Sequence, residues 1–213
     1  MLLHEHLENG ADKNPNFPFS EFEGNSLSYQ EANLLSNQLA NKLVSEGLEV
    51  GDRFAFLAKN CTEMAIMYYA ASKVGAVPVP LNYRLADQEW AYIINDSEAK
   101  LIIVKGNEYS DRINQISSEL KNVKKYISIS LDNSIEKFQD FYDWLSDSSN
   151  EKPTLKIHEN DDVYQMYTSG TTGHPKGAVL LQRNVAANIR QYLNSLTLPR
   201  PSRTLLVAPM YHA

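Results

Sequence analysis

The strongest constraint on this chain is an alternation of short apolar runs with segments of helical period. Leu101-Ile102-Ile103-Val104 is a continuous run rich in β-branched residues, the pattern of a strand buried on both faces in a parallel sheet. Arg53 to Ala58, Tyr126 to Ile129, Val163 to Thr168 and Thr204 to Ala208 read as further strands. Between them lie helices. Ser28-Tyr29-Gln30-Glu31 is a capping box, after which Ala32, Leu35, Leu39 and Leu43 share one helix face until Gly47 ends it. Thr62 caps a helix running through Lys73 and stopped by Gly75, and Asp87 caps one containing Trp90, Ile93 and Ile94. Residues 108–120, 135–145 and 182–196 also carry helical spacing, the second through Ile135, Phe138, Phe141, Tyr142 and Leu145. Val77-Pro78-Val79-Pro80-Leu81 is extended, and its prolines lack the donors of a ladder, which places it at a sheet edge or strand end. Strands separated by helices specify an α/β fold with mainly parallel sheets flanked by helices.

Composition excludes several classes. The 213 residues are 43% hydrophobic and 22% charged, which is neither a disordered chain, a collagen-like repeat nor a small disulfide scaffold. Twenty basic against 26 acidic residues give a net charge of −6, the wrong sign for a nucleic-acid binder. Lys121, Lys124 and Lys125 form the one basic cluster and read as a solvated face. No apolar run of roughly 18 residues exists for a membrane span, and Met1 to His6 lacks the basic-then-apolar pattern of a secretory leader. Cys61 cannot pair internally, so it reads as a buried inert thiol in a cytoplasmic protein. The polar, proline-containing segment Ser146 to Lys156 is the best linker candidate. It divides the chain into a first α/β unit, residues 1–150, and the start of a second, residues 151–213.

One stretch carries chemistry: Tyr167-Thr168-Ser169-Gly170-Thr171-Thr172-Gly173-His174-Pro175-Lys176-Gly177. It is expected between a strand and a helix, where open α/β sheets place ligands. Its glycines let backbone amides approach an anion, its four hydroxyls are neutral donors, and Lys176 is a compact cation. The inventory suits a polyphosphate, although Ser, Thr and Gly also make ordinary turns. It is not the loop of the nucleotide hydrolases, G-x-x-x-x-G-K-[ST]. The spacing from Gly170 to Lys176 agrees with it, but the lysine follows Pro175 where that loop has a glycine, and Gly177 occupies the place of the metal-binding hydroxyl.

The stretch resembles the phosphate loop of the adenylate-forming (AMP-binding) superfamily of acyl-CoA synthetases, peptide-synthetase adenylation domains and luciferases. Leu27-Ser28-Tyr29-Gln30-Glu31-Ala32-Asn33 is similar to the family's first motif, and Ala71-Ser72-Lys73-Val74-Gly75-Ala76-Val77-Pro78-Val79-Pro80-Leu81-Asn82 to its second. Pro209-Met210-Tyr211-His212 resembles the start of the motif whose histidine borders the acyl and nucleotide pockets.

The resemblance implies a ligase that activates a carboxylate with ATP to an acyl-adenylate and passes it to coenzyme A. It further implies that Thr168, Ser169, Gly170, Thr171, Thr172, Gly173 and Lys176 bind the phosphates, with Lys176 countering the β- and γ-phosphate charge. Thr168 would lie near Mg²⁺, and His212 would act at the reaction centre by orienting substrate or adenylate. The Pro80-Leu81-Asn82 form of the second motif leans toward acyl- or aryl-CoA ligases. The family's later glutamate, ribose-binding aspartate, hinge and C-terminal lysine have no counterpart before Ala213, so the chain is expected to be an N-terminal portion and inactive alone. Its partners are then a carboxylic acid, CoA and the remainder of the same polypeptide, and an incomplete sheet would favour self-association. A non-catalytic nucleotide- or partner-binding relative and an amino-acid-activating adenylation domain remain as alternatives.

Smaller features complete the reading. His4 and His6 belong to a floppy terminus rather than a metal site. His174 is expected to face solvent, and Gln165 to be hydrogen-bonded if buried. Phe138, Phe141, Tyr142 and Trp144 read mainly as helical core. Arg183 and Asn184, at a helix start, leave surface capping and a second phosphate contact equally open.

Overall fold

A computed structural model describes residues 1–130, 135–168, 173–196 and 202–212. Its centre is a five-stranded parallel sheet built from β3 (Arg53–Leu57), β4 (Val77–Leu81), β5 (Leu101–Lys105), β6 (Lys125–Ile129) and β7 (Phe138–Asp140), in the order β4-β3-β5-β6-β7. Side chains alternate across it with period two. Phe54, Phe56, Ile103, Ile127 and Ile129 face one apolar cluster, with α2 (Tyr29–Ser45), α3 (Thr62–Val74) and α6 (Phe141–Leu145). Ala55, Leu57, Ile102, Val104 and Tyr126 face the other, with α4 (Asp87–Asp96) and α5 (Asn107–Ile116). Leu101 to Val104 are all buried, as the continuous run requires.

The prolines decide the sheet's edge. The Val77 amide donates to Asp52 O across a 2.8 Å bond to the β3 side. Successive amides of a strand point to opposite sides, so Pro78 and Pro80 lie where β4 would need donors toward a further neighbour. β8 (Asp162–Thr168) runs alongside β4 without a ladder and pairs antiparallel with β9 (Lys176–Leu181) as a separate hairpin. α7 (Gln182–Ser195) follows β9 directly.

Several elements depart from the sequence expectations. The amino terminus is not floppy: α1 (Leu3–Lys13) packs on α2 and α3, and His4 is buried against Ser72. A hairpin of β1 (Pro18–Phe22) and β2 (Asn25–Ser28) precedes the capping box, where Ser28 Oγ and the Glu31 carboxylate bond as expected. Its turn places Gly24 at φ +81°, a conformation that favours glycine. The helix expected over 135–145 begins only at Phe141. Lys137 has φ +71°, outside any helix, and the Asp140 carboxylate caps the amides of Tyr142 and Asp143. Phe141 and Trp144 are core, Phe138 packs on the opposite cluster, and Tyr142 is exposed. The N-caps of α3 and α4 are Cys61 and Ala86 rather than Thr62 and Asp87. Residues 204–208 form no strand among the described residues, since no neighbouring strand offers a ladder. The candidate linker 146–156 is irregular but fastened: Asn37, Gln38 and Asn41 of α2 donate to the carbonyls of Asn150, Leu145, Ser149 and Glu151.

Two adjacent α3 residues gather the helices. Lys73, 3% exposed, donates to Glu8 (3.1 Å), Asn33 (2.8 Å) and Asn37 (2.8 Å), using all three ammonium hydrogens. Burial lowers its pKa, opposed by the Glu8 charge. Burial alone would raise Glu8, but hydrogen bonds from Lys152 and Lys73 and their charge bring it below 4.5. Ser72 bonds His4 of α1 and Gln182 of α7, both buried. The first two family-like motifs therefore meet inside the protein, Asn33 against Lys73, as framework.

Lys73→Met removes the shared donor of Glu8, Asn33 and Asn37. Because Lys152 still pairs Glu8, the cost is near the lower bound for a broken buried pair, about 3 kcal/mol in urea unfolding. A pH titration gives a second expectation. Burial holds the His4 pKa below 6.5, with Lys73 and Lys152 acting in the same direction and Glu8 and Glu5 opposing. Below 6.5 the unfolded chain binds the extra proton, so stability falls as pH drops through the folded value. His4→Gln flattens that loss in urea midpoints taken at successive pH values; His6, shifted the same way, leaves a residual slope.

Candidate functional site

The chemistry-bearing loop lies between the two strands of the β8–β9 hairpin, not between a strand and a helix as the sequence suggests. Thr168 ends β8, Lys176 opens β9, and the register sets them opposite each other. Both are exposed. Lys176 has no ion-pair partner among the described residues. Ser169, Gly170, Thr171 and Thr172 lie outside the described residues. Gly173 has φ +130°, a backbone L side chains rarely adopt.

Gly177 serves close packing. A Cβ there would collide with Gln165 Nε2 and stand 2.9 Å from Tyr167 Cζ. Those two side chains belong to a directed hydrogen-bond chain. Arg53 Nε donates to Gln165 Oε1 (3.2 Å), Gln165 Nε2 to the Tyr167 hydroxyl (3.0 Å), and that hydroxyl to Asp96 Oδ2 (2.6 Å). Gln165 is thus buried and satisfied, as expected. Burial and then the Asp96 carboxylate push the Tyr167 phenol above its ordinary pKa, keeping its proton in place. On the far flank, exposed His174 stacks on Tyr92 of α4, with ring centroids 4.6 Å apart and planes 18° apart.

The histidine segment is tied to α3 and its approach. Asn60 donates to Ala208 O and accepts from the Met210 amide, both at 2.8 Å. Tyr68 donates to Met210 O at 3.0 Å, and Tyr211 meets Tyr83 edge-on at 5.4 Å. His212 is left exposed, its amide bonded to Pro209 O. Sequence reasoning passed over Asn60, Tyr68, Tyr92 and Asp96. Asn60 alone carried a hint, as a polar residue just past the carboxyl end of a parallel strand.

These segments converge. Thr168, Pro175, Tyr167, Tyr211, His212 and Asn82 share one cavity of about 400 Å³ beside the proline-edged strand β4. Gly173 and Lys176 are not in its lining. Among the described residues no three His, Cys, Asp or Glu side chains gather as a metal cluster. Burial, reinforced by Glu63, raises the Cys61 thiol to about 12, so it is inert at neutral pH. Asn184 caps α7 through its bond from the Leu181 amide, which favours the capping side of the alternatives left open there. No helix among the described residues is long and apolar enough to cross a membrane.

The family described as AMP-binding enzyme matches residues 7–213. The chain belongs to this family. A long-chain-fatty-acid–CoA ligase of Mycobacterium tuberculosis is 33% identical over 188 residues, covering 87% of this chain and 36% of the relative. A feruloyl-CoA synthase of an Amycolatopsis species is 30% identical over 190 residues, covering 89% of this chain and 35% of the relative. This member of the AMP-binding enzyme family thus spans about a third of the length of these curated relatives. Among solved structures, the inhibitor-bound N-terminal domain of FACL13 from Mycobacterium tuberculosis superposes with a TM-score of 0.87 at 29% identity, over 99% of this chain and 52% of that one. The α/β fold expected from the alternating pattern is therefore the fold of an adenylate-forming N-terminal domain.

Gly177→Ala tests the packing beneath the loop. Overpacking against Gln165 and Tyr167 lowers stability by about 1–3 kcal/mol in urea unfolding, whereas Gly177→Ser gains nothing from its hydroxyl.

Proposed function

We propose that this chain is the N-terminal part of an AMP-forming acid–thiol ligase that joins a fatty or aryl acid to coenzyme A. The observation carrying the reading is the shared cavity, into which Thr168 from the loop and His212 from the histidine motif both open. The names of the two ligase relatives support the acyl or aryl class of substrate.

The chemistry is a two-step exchange of leaving groups. A carboxylate oxygen attacks the α-phosphorus of ATP, and the α–β bridging bond breaks to release pyrophosphate. The CoA thiolate then attacks the acyl carbon, and AMP departs with the bonding pair. The described residues suit the first step: an exposed lysine with no ion-pair partner among them, opposite a threonine hydroxyl at the neck of a glycine- and hydroxyl-rich loop, is a donor set for a polyanion. In this reading Ser169, Gly170, Thr171, Thr172 and Gly173 present donors to the β- and γ-phosphates, and Lys176 counters their charge. Thr168 would offer a hydroxyl to Mg²⁺, an ion that binds mostly through substrate phosphates and water and would neutralise phosphate charge there. His212, held by its neighbours' bonds to Asn60 and Tyr68, orients the carboxylate at the cavity mouth. Residues 1–150 form the first α/β unit and 151–213 open the second; the protein is cytoplasmic and completes its site with the rest of the polypeptide.

Isotope exchange between pyrophosphate and ATP tests the reading in the polypeptide that continues past Ala213, with panels of fatty, aryl and amino acids. Exchange with a fatty or aryl acid is expected. Lys176→Ala lowers kcat/KM roughly 10²- to 10³-fold, as does loss of other groups that stabilise developing charge. The 213-residue chain by itself supports none. Exchange with amino acids alone favours an adenylation domain, and ATP binding without exchange favours a non-catalytic relative; either outcome overturns the ligase assignment.

A further inference from the structure

Tyr92 and Asp96 are four residues apart on α4 and therefore share one helix face. Each contacts a different flank of the loop. Asp96 accepts from Tyr167, immediately before Thr168, and Tyr92 stacks on His174, two residues before Lys176. α4 is itself seated in the core through buried Trp90, Ile93 and Ile94. One rigid element thus holds both ends of the segment.

We propose that α4 anchors the phosphate loop, with Asp96 and Tyr92 as positioning residues that set the separation and direction of its flanks at Tyr167 and His174. The proposal rests on the phosphate-binding reading above. Fixing the two flanks in advance lowers the conformational cost of binding an anion between them. The sign of the Asp96 charge supports a positioning role. A carboxylate one residue removed from an anion-binding segment repels the ligand, so its electrostatic effect is unfavourable. What it contributes instead is a short, charge-assisted acceptor at 2.6 Å, at the end of the directed chain from Arg53 through Gln165 and Tyr167. The stack contributes a flat aromatic surface against which His174 has one orientation.

This predicts effects opposite to those of simple charge removal. Binding of inorganic tripolyphosphate to the 213-residue chain is measured by titration calorimetry, and hairpin amide exchange is followed without ligand. Asp96 and His174 are both exposed, so their variants fold; urea midpoints check this. Asp96→Ala weakens tripolyphosphate roughly tenfold despite removing a negative charge, and accelerates exchange at Met166 to Thr168. Asp96→Asn, which keeps an acceptor, restores both. His174→Ala weakens binding roughly 2- to 10-fold, while His174→Phe retains it. Tighter binding in Asp96→Ala, or unchanged binding alongside faster exchange, overturns the positioning role. Unchanged exchange in both alanine variants overturns the anchor itself. A wild-type chain that binds no tripolyphosphate overturns the phosphate reading instead, and the exchange measurements then decide the anchor alone.

Discussion

A single buried ammonium organises the helical side of this protein. Lys73 cannot leave its charge in an apolar interior without partners, and its three hydrogens demand three acceptors. Glu8 comes from α1, and Asn33 and Asn37 come from α2, so satisfying one lysine fixes two helices against a third. Ser72 beside it repeats the logic with neutral groups, joining α1 through His4 and the start of α7 through Gln182. The hairpin bearing the loop therefore continues into a helix already tied to the core. The motifs containing Asn33 and Lys73 meet in this framework.

The second constraint is the absence of two donors. Pro78 and Pro80 close the parallel sheet at β4, so β8 runs beside that edge unladdered and finds its hydrogen bonds in β9. An independent hairpin is held by side chains instead, and those side chains are specific: Arg53, Gln165, Tyr167 and Asp96 in series, with Tyr92 stacked on His174. Opposing Tyr167 is Gly177, whose missing Cβ permits this closeness. The arrangement gives the flanks of the proposed phosphate loop a rigid base, and among the described residues Lys176 has no ion-pair partner.

Much of the core was legible because burial leaves a periodic trace. Phe54 to Leu57 and Leu101 to Val104 declare their strands, and Leu39 and Leu43 their helix. Elements at the periphery leave less. The helix at 3–13 and the β1–β2 hairpin carry few buried apolar positions, and β9 is largely exposed, so periodicity had little to act on. Over 135–145 the apolar spacing was real but divided between two faces of the sheet, and Lys137 at φ +71° breaks any helix there.

The sequence by itself determined the α/β class, the proline-marked edge strand, the inert Cys61 and the family, because each depends on residue type and local order. Tertiary structure decided which polar residues meet. Asn60 reaches across 150 positions to hold Met210, and Tyr167 across 71 to reach Asp96. Such pairings leave no periodic trace along the chain, since a hydrogen bond specifies where two groups must arrive and nothing about the path between them. For the same reason, the convergence of Thr168 and His212 on one cavity became visible only in the folded protein.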